Sequence, residues 1–267
     1  MARIKNDLFK FSGTIGELSF SQDEFGTIVK QKAKVSKNRI KNNPRSKGTR
    51  ESNMEMGGAS KAAKMLRLAF LQNRKDIGDR YFSGRLSGLM RRVVTLGEGL
   101  SGERKLDIRK NGGLLEEFEF VNARPLVYSV GGIKEKAILN AGRNEVVWTS
   151  PTLNRKEQIT APKEATHFKF IFGAATVSNY EYHADKNEYV PMEPNFRPAS
   201  VFTDSEPIAL AQKTIVPVTL PLKLTEGIAI PDEVAVVTVV GVGFCRNMNG
   251  ELLELKDAGG MRVLGVG

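Results

Sequence analysis

From 234 to 244 the chain reads Val-Ala-Val-Val-Thr-Val-Val-Gly-Val-Gly-Phe, a run without a single charge and with a valine at most positions. β-Branched residues at this density favour an extended strand buried in a core. The run is far short of the ~20 residues that cross a bilayer, and its glycines weaken a helix further. Cys245 follows it directly and reads as a small buried hydrophobe rather than a nucleophile. As the one cysteine, it excludes an intrachain disulfide and a cysteine metal cluster.

Further short strands are expected around this run, at 114–121, 126–130, 137–140, 145–149, 167–178, 180–183, 188–190 and 215–220. An Asn249-Gly250 turn leads to 252–255, and 261–266 follows. Phe168, Phe170 and Phe172 alternate as one buried sheet face requires. Short strands at this spacing, separated by Gly, Asn and Pro, describe a mainly antiparallel β-sandwich over 111–267. One or two β domains remain open, with the division near 160.

The first part of the chain is different in kind. Phe9, Phe11, Ile15, Leu18 and Phe20 alternate roughly with polar residues, so 8–33 reads as a β-hairpin. Gly13 and Gly16 look like bulges within it, and 21–26 supplies the turn before the strand restarts at 27–30. From 30 to 50 come Lys30, Lys32, Lys34, Lys37, Arg39, Lys41, Arg45, Lys47 and Arg50 with no acidic residue. Asn42-Asn-Pro44 and Gly48 argue against helix, so this stretch reads as an extended or flexible basic arm. Over 51–110 two helices are expected. Met56, Ala59, Ala63, Leu66 and Phe70 form one apolar stripe; Phe82, Leu86, Leu89, Val93 and Leu96 form the other, with Asp76 as cap and Gly97 as stop. Their glycines suit close approach to another helix. The fold class expected is thus α+β.

Charge separates along the same line. Residues 1–110 hold 25 Lys and Arg against 11 Asp and Glu, a net of +14, whereas the remainder holds 15 against 19, a net of −4. A polyanion, or the acidic half of another copy, satisfies the first part. The overall content, 40% hydrophobic and 26% charged over 267 residues, is that of an ordinary globular protein.

Gly13-Thr-Ile-Gly16-Glu-Leu-Ser-Phe20, the strand Ile28-Val-Lys30, and the basic segment with Asn43-Pro44 and Thr49-Arg-Glu51 resemble the N-terminus of uncharacterised proteins of Bacteroidota. The stretch Gly241-Val-Gly-Phe-Cys-Arg-Asn-Met-Asn-Gly250-Glu-Leu is similar to the closing hairpin of the same proteins. That family is known as a domain of unknown function, so the resemblance implies no catalytic or binding residue.

Catalytic chemistry has little to stand on. The only histidines, His167 and His183, sit in expected strands beside aromatics and read as structural. A zinc site on them needs Glu181 or Asp185 as a third ligand, which the spacing does not demand. No Gly-x4-Gly-Lys-Ser/Thr loop occurs, and Gly84-Arg-Leu-Ser-Gly88 displaces the serine of a nucleophile elbow. Gly241-Val-Gly243 leads to another strand, not to the helix of a dinucleotide site. Glu116 and Glu117 as strand neighbours point to opposite faces.

The reading that follows is a non-enzymatic structural protein that self-assembles, a virion component or filament-type subunit. Its hairpin and basic arm contact neighbouring subunits, with no cofactor and no metal. The implied partner is further copies of the chain. The alternative is a nucleic-acid-binding protein whose arm lies on the phosphate backbone; a ligand-binding or enzymatic β protein is the third class. Met1-Ala-Arg-Ile-Lys-Asn-Asp has no apolar core or cleavage signature of a secretory leader, so cytoplasmic synthesis is expected, as for a virion component.

Overall fold

The computed structural model describes residues 2–4, 12–23, 26–32, 36–74 and 78–267. Phe9, Phe11, Lys34 and Asp76, which carried parts of the expected hairpin, arm and helix cap, lie outside them. The chain is divided into two compact units, 1–50 and 51–267.

The first unit contains β1 (Ala2–Ile4), β2 (Gly13–Ile15), β3 (Leu18–Asp23), β4 (Gly26–Gln31) and the short helix α1 (Lys37–Asn42). The strands form one antiparallel sheet in the order β1-β4-β3-β2. Gly16 is not a bulge. It sits at φ 58 in the two-residue turn between Ile15 and Leu18, a conformation that favours glycine.

Among the described residues of this unit, Thr27 alone is buried. Ile15 is 68% exposed and Leu18 46%.

The second unit is built on α2 (Lys47–Asn73, which begins in the first unit), α3 (Phe82–Thr95) and two single turns, α4 (Ile108–Asn111) and α5 (Leu126–Ser129). Then come β5 (Ile138–Leu139), β6 (Glu145–Thr149), β7 (Leu153–Asn154) and α6 (Arg155–Gln158). They are followed by β8 (His167–Ser178), β9 (Tyr180–His183), β10 (Glu188–Pro191), β11 (Ser200–Asp204) and β12 (Ile208–Ala209). Last come β13 (Thr214–Ile215), β14 (Thr219–Lys223), β15 (Val234–Met248), β16 (Glu251–Glu254) and β17 (Met261–Val266). The fold is α+β with antiparallel sheets throughout this unit.

Strands β8 and β15 are its axis. They pair antiparallel from Val234↔Ser178 to Cys245↔His167 and are flanked by β11 and β12 on one side, β16 and β17 on the other. Their side chains alternate between two cores, so neither strand has a polar face over its central stretch. Ile171, Ala175, Val177, Ala235, Val237 and Val239 join the core made with α2 and α3. Phe168, Phe170, Phe172, Val236, Val240 and Val242 join the other, made with Trp148, Leu220 and Leu222 of the three-stranded sheet β14-β6-β5. The β-sandwich relationship therefore exists on one face only, and a helical layer covers the other. The expected 51–110 segment is not a body of its own.

On the helices, Ala59, Ala63, Leu66, Phe70, Phe82, Leu86 and Val93 are buried as their spacing requires, while Met56 and Leu96 are exposed. Gly58 accommodates the ring of Tyr189 from β10 rather than a second helix, and nothing lies within 4 Å of a Cβ placed at Gly57, Gly84 or Gly88. With residues 75–77 undescribed, the observed start of α3 has Tyr81 as N-cap without a side-chain cap bond; Asp79 instead accepts from the Tyr81 amide at 2.9 Å.

Three expected strands are otherwise. Residues 114–121 are a 3-10 turn (Gly112–Leu115) and an irregular run that bonds to β17, Glu117 N donating to Val263 O and Phe120 N to Met261 O. Glu117 has φ 63, which breaks the pleat, so Glu116 and Glu117 are not strand neighbours. Residues 126–130 form α5, because Pro125 starts a turn closed by Tyr128 N to Pro125 O at 3.0 Å. The 215–220 strand is split into β13 and β14 around Pro217, which has no amide proton to give a ladder. A boundary near 160 is bridged by β6 pairing with β14 and β7 with β13.

Candidate functional site

The basic stretch is folded, and its caps explain why. Ser36 Oγ accepts from Arg39 N at 3.2 Å and starts α1. Asn43 Oδ1 accepts from Arg45 N at 2.9 Å and starts the 3-10 turn Pro44–Ser46, where proline is at home in the first turn. The Arg50 guanidinium then reaches back to Ile40 O (2.9 Å) and Asn43 O (2.8 Å), closing the open carbonyls of α1. Asn42-Asn-Pro44 thus joins two helical pieces, so the extended-arm expectation is corrected over 37–50.

Of the nine cations singled out in the sequence, Lys34 lies outside the described residues and Arg50 has this structural task. Lys30 is exposed on β4, and Lys32 follows it, its amide donating to Glu17 O at 2.6 Å. Lys37, Arg39 and Lys41 are exposed on α1, with Lys37 and Lys41 one turn apart on the same side. Arg45 is exposed in the 3-10 turn, and Lys47 opens α2. None of the ion pairs among the described residues involves Lys30, Lys32, Lys37, Arg39, Lys41 or Arg45, unlike the paired cations of the second unit.

In the second unit a cleft of about 840 Å³ opens over the helical face of the central sheet. Ile171, Val242 and Gly243 are among its lining residues, and Gly259 lets the loop after β16 rest directly on β15. A Cβ at Gly259, whose φ is 88, would stand 1.9 Å from Val242 O. Several of the charges in and around it are paired. Arg124 pairs with Asp257 at 3.0 Å, and Arg74 pairs with Asp204. Lys169 sits between Asp204 (2.8 Å) and Glu254 (2.9 Å). Burial works against the Lys169 charge, yet these two carboxylates raise its pKa above the ordinary lysine value.

Sequence reasoning missed one buried charge, Glu55, and one half-buried charge, Lys169. Glu55 is fully buried on α2, with Arg91 at 2.7 Å, Arg104 at 3.4 Å and the Gly102 amide at 2.8 Å. Nothing in its local sequence separates it from a solvated glutamate, because its partners come from 36 to 49 residues away in the chain. The partners of Lys169, Asp204 and Glu254, likewise lie far off in the chain.

The chemistry candidates are scattered. His167 on β8 bonds to Thr166 Oγ1 at 2.9 Å, while His183 on β9 has Glu181 at 3.1 Å and Asp185 at 3.7 Å. No group of three or more His, Cys, Asp or Glu side chains able to hold a metal occurs among the described residues. The Cys245 thiol is buried, and burial pushes its pKa up. No described helix is long and apolar enough to cross a membrane. Comparison with protein-family models, with curated proteins and with solved structures finds no match to this chain.

Proposed function

We propose that the chain is a non-enzymatic structural subunit that assembles with its own copies, in the manner of a virion component or filament subunit. Its N-terminal unit makes the contacts to neighbours. One observation carries this: a four-stranded sheet whose only buried described side chain is Thr27. A sheet is stable by virtue of the apolar face it covers, and this one leaves Ile4, Ile15 and Leu18 exposed. Both hydrophobic cores belong to 51–267, so that unit has what it needs within itself. Cover for the sheet then comes from another chain.

Charge supports the choice of partner. Residues 1–50 hold 12 Lys and Arg against 4 Asp and Glu, a net of +8, whereas 111–267 carry −4. The test is removal of 1–50. The remainder is expected to keep its cooperative unfolding and to lose assembly; a truncated chain that still assembles overturns the proposal.

A second reading rests on six exposed cations, from Lys30 to Arg45, that have no carboxylate partner among the described residues. Phosphate groups of a nucleic acid suit such a surface, through release of counterions and without reading sequence. Binding to duplex DNA or RNA then falls steeply with salt, and absence of binding at 50 mM salt, a condition in which such contacts are strong, removes this reading.

A further inference from the structure

Several sheet edges in the second unit are closed in different ways, and that of β16 is left open. The outer edge of β17 is taken by the 117–120 run, whose amides and carbonyls bond to Met261 and Val263. Strand β14 carries Pro221 at its centre, β10 ends in Pro191 and gives its Tyr189 carbonyl to Lys61, and β5 is two residues long. These are the ordinary means of blunting an edge. Strand β16 has none of them.

It reads Glu251-Leu-Leu-Glu254, has no proline, and among the described residues pairs with β15 alone. The tip is apolar and exposed, Met248 at 44% and Leu253 at 41%. Counting from the Asn249-Gly250 turn, the Asn247↔Leu252 pair is a non-hydrogen-bonded one, so the Leu252 amide and carbonyl face outward. Glu251 is in none of the ion pairs among the described residues.

In the first unit the matching open edge is β2. It pairs only with β3 among the described residues, and by the same counting from the Gly16-Glu17 turn Thr14 directs its amide and carbonyl outward. Ile15 and Leu18, the exposed apolar residues of that hairpin, stand beside this edge. Pairing β2 with the same edge of another first unit sets two units of net +8 against each other. Pairing it with β16 sets that charge against Glu251, since Glu254 is already paired with Lys169.

Resting on the assembly reading above, we propose that β2 of one copy adds to the open edge of β16 in the next copy. The contact is then head to tail, and it extends the central sheet of one molecule with the N-terminal sheet of its neighbour. Because donor and acceptor edges differ, an open chain of copies keeps β2 free at one end and β16 at the other, and assembly continues into rings or filaments.

The experiment uses Thr14→Pro and Leu252→Pro, each of which removes an outward amide while leaving the hairpin's own bonds in place. Sedimentation velocity of the full chain is expected to show each variant monomeric where the unaltered chain assembles. Mixed in equal amounts, the two are expected to give 1:1 dimers and nothing larger, since one retains β16 and the other β2. That recovery also shows that both variants are folded, and a second acceptor-edge variant, Leu253→Lys, is expected to weaken assembly without touching a backbone amide. An unaltered chain that stays monomeric defeats the assembly reading itself. Assembly that survives in either proline variant, or a mixture that remains monomeric although both variants melt cooperatively, overturns the β2–β16 pairing and leaves the assembly reading standing.

Discussion

The ring of Tyr189 occupies the space in which Gly58 would carry a side chain: a Cβ there would stand 2.5 Å from the ring's Cγ. The ring is held in place by its hydroxyl, which donates to Arg104 O at 2.9 Å, and burial raises its pKa. It therefore has no room to retreat. Gly58→Ala is expected to destabilise the protein by about 1–3 kcal/mol through overpacking. Gly57→Ala, next in sequence but facing open space, is expected to stabilise it by about 0.5–1 kcal/mol through helix propensity. Urea unfolding midpoints of the two variants should move in opposite directions; equal shifts contradict the arrangement.

Glu55 is the charge on which α2, α3 and the 98–105 loop converge. Removing one partner of a buried pair strands the other, at a cost of about 3–5 kcal/mol. Glu55→Ala is expected to lose on that order, because Arg91 and Arg104 are left facing each other. Glu188→Ala removes an exposed, solvent-screened pair with Lys61 and is expected to cost far less. Denaturant titration of the two variants compares them directly.

Glu233 accepts from the Asn179 amide at 2.9 Å and pairs with Lys105 at 3.1 Å, and these contacts hold its pKa below the ordinary glutamate value. A carboxylate with a depressed folded pKa stabilises the fold above its unfolded pKa, and the contribution is lost as pH falls through the folded value. The melting temperature should therefore drop as pH falls below the ordinary glutamate value of about 4.3, and Glu233→Gln should flatten that slope. A variant with the original slope would place the acid sensitivity elsewhere.

Arg50 closes α1 by bonding Ile40 O and Asn43 O, whereas Arg45 lies exposed with no such bond. Arg50→Ala is expected to speed amide exchange over 37–46 by roughly tenfold, as for the loss of about 1.4 kcal/mol of local stability. Arg45→Ala should leave it unchanged. Exchange followed by mass spectrometry separates the two.

What was legible in the sequence was what local pattern controls. The observed limits of β8, β9 and β17 are those their composition predicts, since runs such as 167–178 and 261–266 are apolar and bounded by turn residues. The Phe168-Phe170-Phe172 face is buried as its alternation requires. Residues 114–121 and 126–130 were misread because their apolar residues are set by what they pack on, Phe118 and Phe120 under α3 and Leu126 beneath the second sheet. Strand β11 went unseen because Ser200–Asp204 is partly polar and exists by pairing with β8. The basic segment's composition was plain, but its helices depend on single capping atoms of Ser36, Asn43 and Arg50. Open strand edges are visible only once every other edge has found its partner.

The most direct measurement is sedimentation velocity of the intact chain across a hundredfold range of concentration at physiological salt, after nuclease treatment. The account predicts species larger than a 29.4 kDa monomer that grow with concentration. A single monomer boundary throughout would contradict it and would leave the nucleic-acid reading as the stronger one.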